Sequence, residues 1–539
     1  MIAGLSFKCA GETFTTMSAA AAPGPSPVAT QADVTSAITD STTGGPWIDI
    51  NTQYLLASAY LVFFMHSGFA MISIGCVRAR FARHIAVLIL IDACASALGF
   101  YLFGFAFAFG DKTDDAGNVA GNPFIGSQYF ALHGLDGPTY FATLVRPYAF
   151  WVFEWAFAAT ACTIVSGAIA ERARVEAYAI YSFFMAAWVY PVIVHSIWSS
   201  AGWASMFRTA PNFMGYFAKG SGAIDFAGSG AVHMVGGYAA AAGCWVIGPR
   251  IGRFNADGTA NDFAGHNSSL FVLGVMILWF GWYGFNPGSQ LVIVGGTNSF
   301  AVSVCAVTTT LAPAAAGLSS LLTKAIETHF STGKHVYDVG VMGNGALAGL
   351  VAITSGTSTV YPWGAVIIGL IAGALYVFAS RMSILMKLDD PLDAIAVHAW
   401  NGTWGVIAVG FFAGGSLITN SYGLDQNGNQ RPYGCFFPGG DGALLAAQIA
   451  YALWIAGWVL GNMLPFWLLL KYTGLLRATA DEEALGLDSS HHGGSAYVGG
   501  DDDKSMTNGT HGTGASVTQS DIAELKAEIA ALKKSAAAT

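Results

Sequence analysis

The chain has 539 residues, of which 54% are hydrophobic and only 10% are charged, and its mean hydropathy is +0.52. Soluble domains carry about 25% charged residues, so a water-facing globular fold is excluded and an integral membrane protein is indicated. The net charge of −9 gives no basic surface of the kind that binds nucleic acid. The 67 glycines are typical of helices that pack closely within a membrane.

Residues 1–46 are rich in Ala, Thr, Ser and Pro and lack the apolar region of a signal peptide. We interpret them as an extracellular N-terminal extension. A membrane-spanning helix needs about 20 apolar residues, and eleven such segments follow within a predicted all-α transmembrane domain at 47–471. Their predicted bounds are 53–76, 85–109, 148–170, 177–198, 226–248, 268–290, 298–322, 339–354, 362–386, 393–414 and 442–470.

The basic residues predict the orientation of these segments. The five connectors after the odd-numbered segments hold eleven lysines and arginines, and Lys471 and Arg477 follow the last segment. The loops on the opposite side hold only five. By the positive-inside rule, the N-terminus is outside and the C-terminus is inside.

After the last segment the composition becomes polar. We expect a cytosolic tail at 472–498 and a low-complexity segment at 499–539. A short amphipathic pattern at 521–534 is compatible with a fraying solvent helix or with a short coil between subunits. The seven cysteines show no metal-ligand spacing, and whether Cys9 and Cys435 pair outside the cell is left open.

Two histidines lie inside uncharged apolar segments, which is where ionisable residues are usually functional. His233 follows Asp225 in the fifth segment, and His398 follows Asp393 in the tenth. The eight residues from Asp225 to His233 rise about 12 Å along a helix, and the five from Asp393 to His398 rise about 7.5 Å. The carboxylates therefore lie near the helix ends, where we interpret both mainly as N-caps. Asp225 would also make the outer mouth negative.

A buried imidazole is favoured in its neutral form, which donates from one ring nitrogen and accepts at the other. Two such rings side by side suit ammonia, which both donates and accepts. No carboxylate completes a metal site, so we expect neither a metal nor a cofactor. A single histidine could instead be a polar contact between helices, and a pair could also ligate haem in a membrane redox enzyme.

Six segments together resemble the ammonium transporter (Amt/Mep/Rh) family, in its plant-type branch, over about 47–497. They are YLLASAYLVFFMHSGFAM (54–71), SGAIAER (166–172), GAIDFAGSGAVHMVGG (222–237), LWFGWYGFNPGS (278–289), DDPLDAIAVH (389–398) and LGLDSSHHGGSAY (485–497). The resemblance implies eleven helices, arranged as an inverted five-helix repeat plus one. It also implies a homotrimer in the plasma membrane with a pore in each subunit, and a transporter that is not an enzyme.

The same resemblance assigns the pathway residues. Trp198, Phe157, Phe285 and Ser289 match the outer ammonium-binding site, where aromatic faces attract a cation. Phe157 and Phe285 would also form a stacked gate, and Trp282 would pack beside the two histidines. Glu154, one turn before Phe157, is a further buried carboxylate at the outer mouth or at a subunit contact.

The predicted function is therefore ammonium transport. Ammonium binds at the aromatic site and loses its proton, and ammonia, with or without that proton, passes both histidines. In plant-type relatives a threonine at the position of Ser490 is a phosphorylation switch, which predicts a kinase as a partner of the tail. The alternatives are an Rh-like gas channel for ammonia or an ammonium sensor.

Overall fold

The computed structural model describes residues 46–112, 121–135, 145–208, 222–425 and 427–497. Over these ranges the secondary structure is helical apart from four isolated β-bridges. Cys9, the amphipathic pattern at 521–534 and nearly all of the predicted N-terminal extension lie outside the described residues. The possible disulfide between Cys9 and Cys435 therefore also lies outside the described residues.

Eleven apolar helices make up most of the described chain. They are α1 (Pro46–Cys76), α2 (Ala79–Phe109), α3 (Pro147–Ile169), α4 (Val175–Trp198), α5 (Ser229–Ile247), α6 (Ser268–Gly288), α7 (Asn298–Thr332), α8 (Val339–Thr354), α9 (Pro362–Leu385), α10 (Ile395–Phe412) and α11 (Ala443–Tyr472). Ten of these described helices are long and apolar enough to cross a membrane, whereas α8 has 16 residues. The predicted all-α membrane fold is confirmed. We use "outer" and "inner" in the sense of the predicted topology.

The predicted end of the seventh segment at 322 is wrong, because α7 continues to Thr332. Hydropathy falls after Leu322, but helix formation does not depend on hydropathy alone. Glu327 accepts charge-assisted bonds from Lys324 and from Arg381 of α9, both at 3.0 Å, which favours further helical turns. Gly333 then ends the helix with a φ of 75°, a left-handed conformation that glycine adopts at little cost.

The two histidine-bearing helices, α5 and α10, cross antiparallel at the centre of the bundle. A Cβ on Gly237 would lie 2.2 Å from the nitrogen of Ala399, and one on Gly402 would lie 2.8 Å from the carbonyl oxygen of Ser229. Each glycine follows its histidine by four residues. The backbones therefore touch on both sides of the histidine pair, a correspondence that agrees with an inverted repeat.

An ion network joins the connectors at the inner ends of the helices. Arg78 donates from Nε to Glu171 at 2.8 Å, and Arg250 reaches the same carboxylate at 3.2 Å. Arg250 also donates to Asp389 at 2.8 Å from Nε. Burial raises the pKa of the Asp389 carboxyl, but the hydrogen bonds from Arg250 and the charge of Arg172 outweigh it and lower that pKa to about 2. Asp389 is therefore a fixed anion just before the start of α10.

The tail docks on the inner side through two short helices, Ala480–Leu485 and Leu487–His492. Asp488 accepts from the backbone nitrogens of Arg83 (3.0 Å) and His84 (2.8 Å), near the start of α2. Ser490 is half-buried and donates to the carbonyl of Gly486 at 3.1 Å. The tail is thus connected by hydrogen bonds to a membrane helix of its own chain.

Candidate functional site

A cavity of about 300 Å³ opens on the outer side of the bundle. Its lining includes Phe157 from α3, Trp198 from the end of α4 and Ser289 just after α6. Glu154 and Asp225 also line it. Residues from three separate helices, predicted together only through the family resemblance, therefore share one cavity.

Two stacked phenylalanines lie at the inner side of this cavity. The rings of Phe157 and Phe285 are 4.0 Å apart between centroids and inclined by 21°, and both side chains are buried. Trp198 meets Phe157 edge-on at 6.0 Å, and its indole nitrogen donates to the carbonyl of Asp225 at 2.7 Å. Ser289 donates to the carbonyl of Phe285 at 2.8 Å, which leaves its oxygen lone pairs as acceptors.

The row of rings continues from Phe285 to the histidines. Phe285 lies 5.5 Å from the ring of His233, and Trp282 stacks on the same imidazole at 5.1 Å. Trp282 is held by a 3.0 Å hydrogen bond from its indole nitrogen to Thr354. His233 and His398 face each other with their Nδ1 atoms 3.2 Å apart. The structure thus places the predicted gate, Trp282 and both histidines in one continuous row.

The contact between the two Nδ1 atoms determines the arrangement of protons. In a pair of neutral imidazoles, one Nδ1 must carry the proton and the other must accept it. The rings are then opposite tautomers, so one Nε2 has a lone pair and the other has a proton. In the described chain, the Nε2 of His233 is buried and has no hydrogen-bond partner. The pair can therefore offer both a donor and an acceptor to a small molecule.

A second, smaller cavity of about 30 Å³ lies beside His398, on the side away from the gate. Thr163, Asn344 and Leu278 contribute to its lining. This volume is enough for a molecule of about the size of water. The histidine pair is therefore flanked by the phenylalanine gate on one side and by a small cavity on the other.

The carboxylates of Asp225 and Asp393 accept hydrogen bonds from different parts of the structure. Asp225 accepts from the backbone nitrogens of Gly230 (3.1 Å) and Ala231 (2.8 Å), so it caps α5. Asp393 has a φ of 58° and accepts instead from Tyr376 (2.8 Å) and Ser380 (2.9 Å) of α9.

The predicted capping role of Asp393 is wrong, because Asp390 accepts from the nitrogen of Ile395 at 2.7 Å. The left-handed backbone at Asp393 directs its carboxylate to α9 rather than to the free backbone nitrogens of α10. Asp390 was missed by sequence reasoning, although its place just before a proline near a helix start is a signal for a cap.

The sequence also gave no sign of the π-helical turns that contain both histidines, Ser229–Met234 and Ile395–Trp400. Turns of this kind are frequent at functional sites. Asp92 of α2 is a further buried carboxylate, and it accepts from Thr163 (2.5 Å) and Ser182 (2.7 Å). These hydrogen bonds connect α2 with α3 and α4.

Comparison with known proteins adds independent information. A sequence model of the Ammonium Transporter Family matches residues 53–497. Ammonium transporter 1 member 3 of Solanum lycopersicum is 44% identical over 455 residues, which cover 83% of this chain and 93% of that relative. Ammonium transporter 1 member 1 of Arabidopsis thaliana is also 44% identical, with 81% of this chain and 83% of that relative covered.

Solved structures show the same relationship. One titled "Sensor Amt Protein" has a TM-score of 0.69 and 33% identity, and the match covers 83% of this chain and 98% of that one. The crystal structure of Candida albicans Mep2 has a TM-score of 0.67 and 26% identity, with 80% and 87% covered. The family match over residues 53–497 includes every residue of the row described above. The chain therefore belongs to the ammonium transporter family, in its plant-type branch, and is a transporter rather than an enzyme.

Proposed function

We propose that this transporter recruits ammonium in the outer cavity at Trp198, Phe157, Phe285 and Ser289. Ammonium loses its proton near the gate, and ammonia then passes His233 and His398. The observation that carries this proposal is the continuous row of rings from Trp198 through the gate to the imidazole pair. The cation-binding aromatic residues come first, the gate follows and the histidines come last, which is the order of recruitment, deprotonation and passage in the proposed pathway.

Physical chemistry supports deprotonation before passage. An ammonium ion in an apolar passage loses its hydration without replacement, which is costly. The outer cavity offsets part of that cost through aromatic faces, each contributing about 0.5–2 kcal/mol to holding a cation. Beyond the gate, the imidazole pair offers one donor and one acceptor, which suits neutral ammonia. Whether the proton follows by another route is decided by measuring the charge moved per ammonium taken up.

Trp198→Leu is expected to raise the ammonium concentration for half-maximal uptake by about 2- to 30-fold, because one cation–π contact is lost. The measurement is uptake of labelled methylammonium by cells that lack their own ammonium transporters. Trp245→Leu is the matched control, because Trp245 is exposed on the surface of the bundle. An unchanged half-saturation in Trp198→Leu would favour the gas-channel alternative, since a channel for neutral ammonia needs no cation site.

The assembly and regulation belong to the same proposal. We place the protein in the plasma membrane as a homotrimer, with the N-terminus outside and a kinase acting on Ser490. A phosphate on this half-buried serine would add about two negative charges close to Asp488 and the start of α2. The same docked tail favours ammonium sensing as a second candidate function, because it links a membrane helix directly to the cytosolic side.

A further inference from the structure

One carboxylate in the outer cavity has no assigned partner. Glu154 lines the cavity, yet its side chain is only 4% exposed. In the described part of the chain, its Oε2 atom is buried and has no hydrogen-bond partner. A buried carboxylate without a partner is costly, and a cation that approaches from the cavity would offset that cost.

The other two carboxylates of the cavity lining already have partners. Asp225 accepts from Gly230, Ala231, Ser355 and Tyr451, at 2.5 to 3.2 Å. Asp111 accepts from Ser199 at 2.5 Å and lies 3.8 Å from the imidazole of His195. The Oδ1 atom of Asp111 also lacks a hydrogen-bond partner in the described chain, but it is the oxygen that lies near His195. Glu154 differs because, among the described residues, no hydrogen bond or ion pair reaches its carboxylate.

The position of Glu154 relates it to the gate. It precedes Phe157 by three residues on α3, so both side chains lie on the same helix face. Phe150 and Phe153 of the same helix also line the cavity. Glu154 thus inserts one acidic group into an aromatic wall. The buried hydroxyl of Tyr190, which also lacks a hydrogen-bond partner in the described chain, lies within electrostatic range of Glu154.

We propose that Glu154 is a carboxylate subsite for ammonium and methylammonium, accepting an N–H hydrogen bond one helical turn before Phe157. The subsite rests on the proposed function, since the cation it binds is the one that the aromatic residues recruit. Aromatic faces attract a cation without specifying where its hydrogens point. A carboxylate oxygen adds a directional, charge-assisted acceptor. The arriving cation in turn supplies the countercharge that the buried carboxylate lacks.

The test is Glu154→Gln in the full-length protein, which keeps the shape of the side chain and removes its charge. We expect the half-saturating ammonium concentration for uptake to rise about tenfold, with the maximal rate changed less than about twofold. In the purified protein, stabilisation against heat by ammonium chloride relative to sodium chloride should be lost. Stability without ammonium should be unchanged or higher, because an amide is less costly to bury than an unpaired carboxylate.

Asp49→Asn is the matched control, because it removes an exposed carboxylate that pairs with Arg146 outside the cavity lining. The subsite is overturned if Glu154→Gln keeps the wild-type half-saturation and ammonium stabilisation, or if Asp49→Asn raises the half-saturation equally. If Glu154→Gln is less stable without ammonium but is still stabilised by ammonium, Glu154 has a structural role, and the subsite is also overturned. Trp198→Leu separates the two proposals: an effect there but not at Glu154 leaves the aromatic site standing and removes only the subsite.

Discussion

His233→Ala and His398→Ala each lower the maximal rate of ammonium uptake by about tenfold or more. Either change removes one Nε2 group from the pathway and leaves the other imidazole without its Nδ1 partner, which is 3.2 Å away in the intact pair. A buried polar group that loses its partner costs about 1–3 kcal/mol, and 1.4 kcal/mol corresponds to a factor of ten. Because the pair acts as one unit, the double variant should lose little more than either single variant.

The measurement is labelled methylammonium uptake together with ammonium-evoked current, normalised to protein at the cell surface. His329→Ala is the control, because His329 is an exposed histidine near the inner end of α7, away from the row of rings. Half-saturation should change less than maximal rate, since the outer cavity remains intact. Wild-type rates in both single variants would contradict the proposed pathway.

Gly237→Ala should abolish most uptake and lower the melting temperature of the purified protein. The added methyl group would lie 2.2 Å from the nitrogen of Ala399 and 2.6 Å from the carbonyl carbon of His398. To reach van der Waals contact, α10 must move away from α5 by roughly 1 Å. Overpacking of this kind costs about 1–3 kcal/mol, and the movement carries His398 away from His233.

Gly457→Ala provides the matched control, because a Cβ at this position of α11 meets no other atom within 4 Å. We expect unchanged uptake and a melting temperature equal to or slightly above that of the wild type, since alanine favours a helix more than glycine does. If Gly237→Ala melted and transported like the wild type, the close contact of the two helices would not be what positions the histidines.

The sequence predicted the membrane helices well where apolar runs end at a polar turn. It failed at α7, which continues ten residues past the apolar run through the ion pairs at Glu327. Those pairs involve α9, a partner that hydropathy along one segment cannot reveal. The failure at Asp393 has a similar cause, because its left-handed backbone depends on the turn that follows Pro391 and on contacts with α9.

The candidate site likewise contains residues that could be predicted from the sequence alone and residues that could not. The two histidines could be found from the residues alone, since ionisable groups are rare in apolar segments. Trp198, Phe157 and Phe285 could not, because aromatic residues are common throughout this chain and these three come from different helices. Only the family resemblance brought them together. The lack of a partner at Glu154 could be seen only once the neighbouring helices were in place.

The antiparallel crossing at Gly237 and Gly402 also limits how the protein can move. Many transporters expose a central site alternately to the two sides by rocking one half against the other. Here the two halves touch backbone to backbone on both sides of the histidine pair, so such a rotation would drive main-chain atoms into each other. The scaffold is therefore expected to stay nearly still during a transport cycle while the substrate moves through it. A chemical cross-link between α5 and α10 should accordingly leave the turnover rate unchanged.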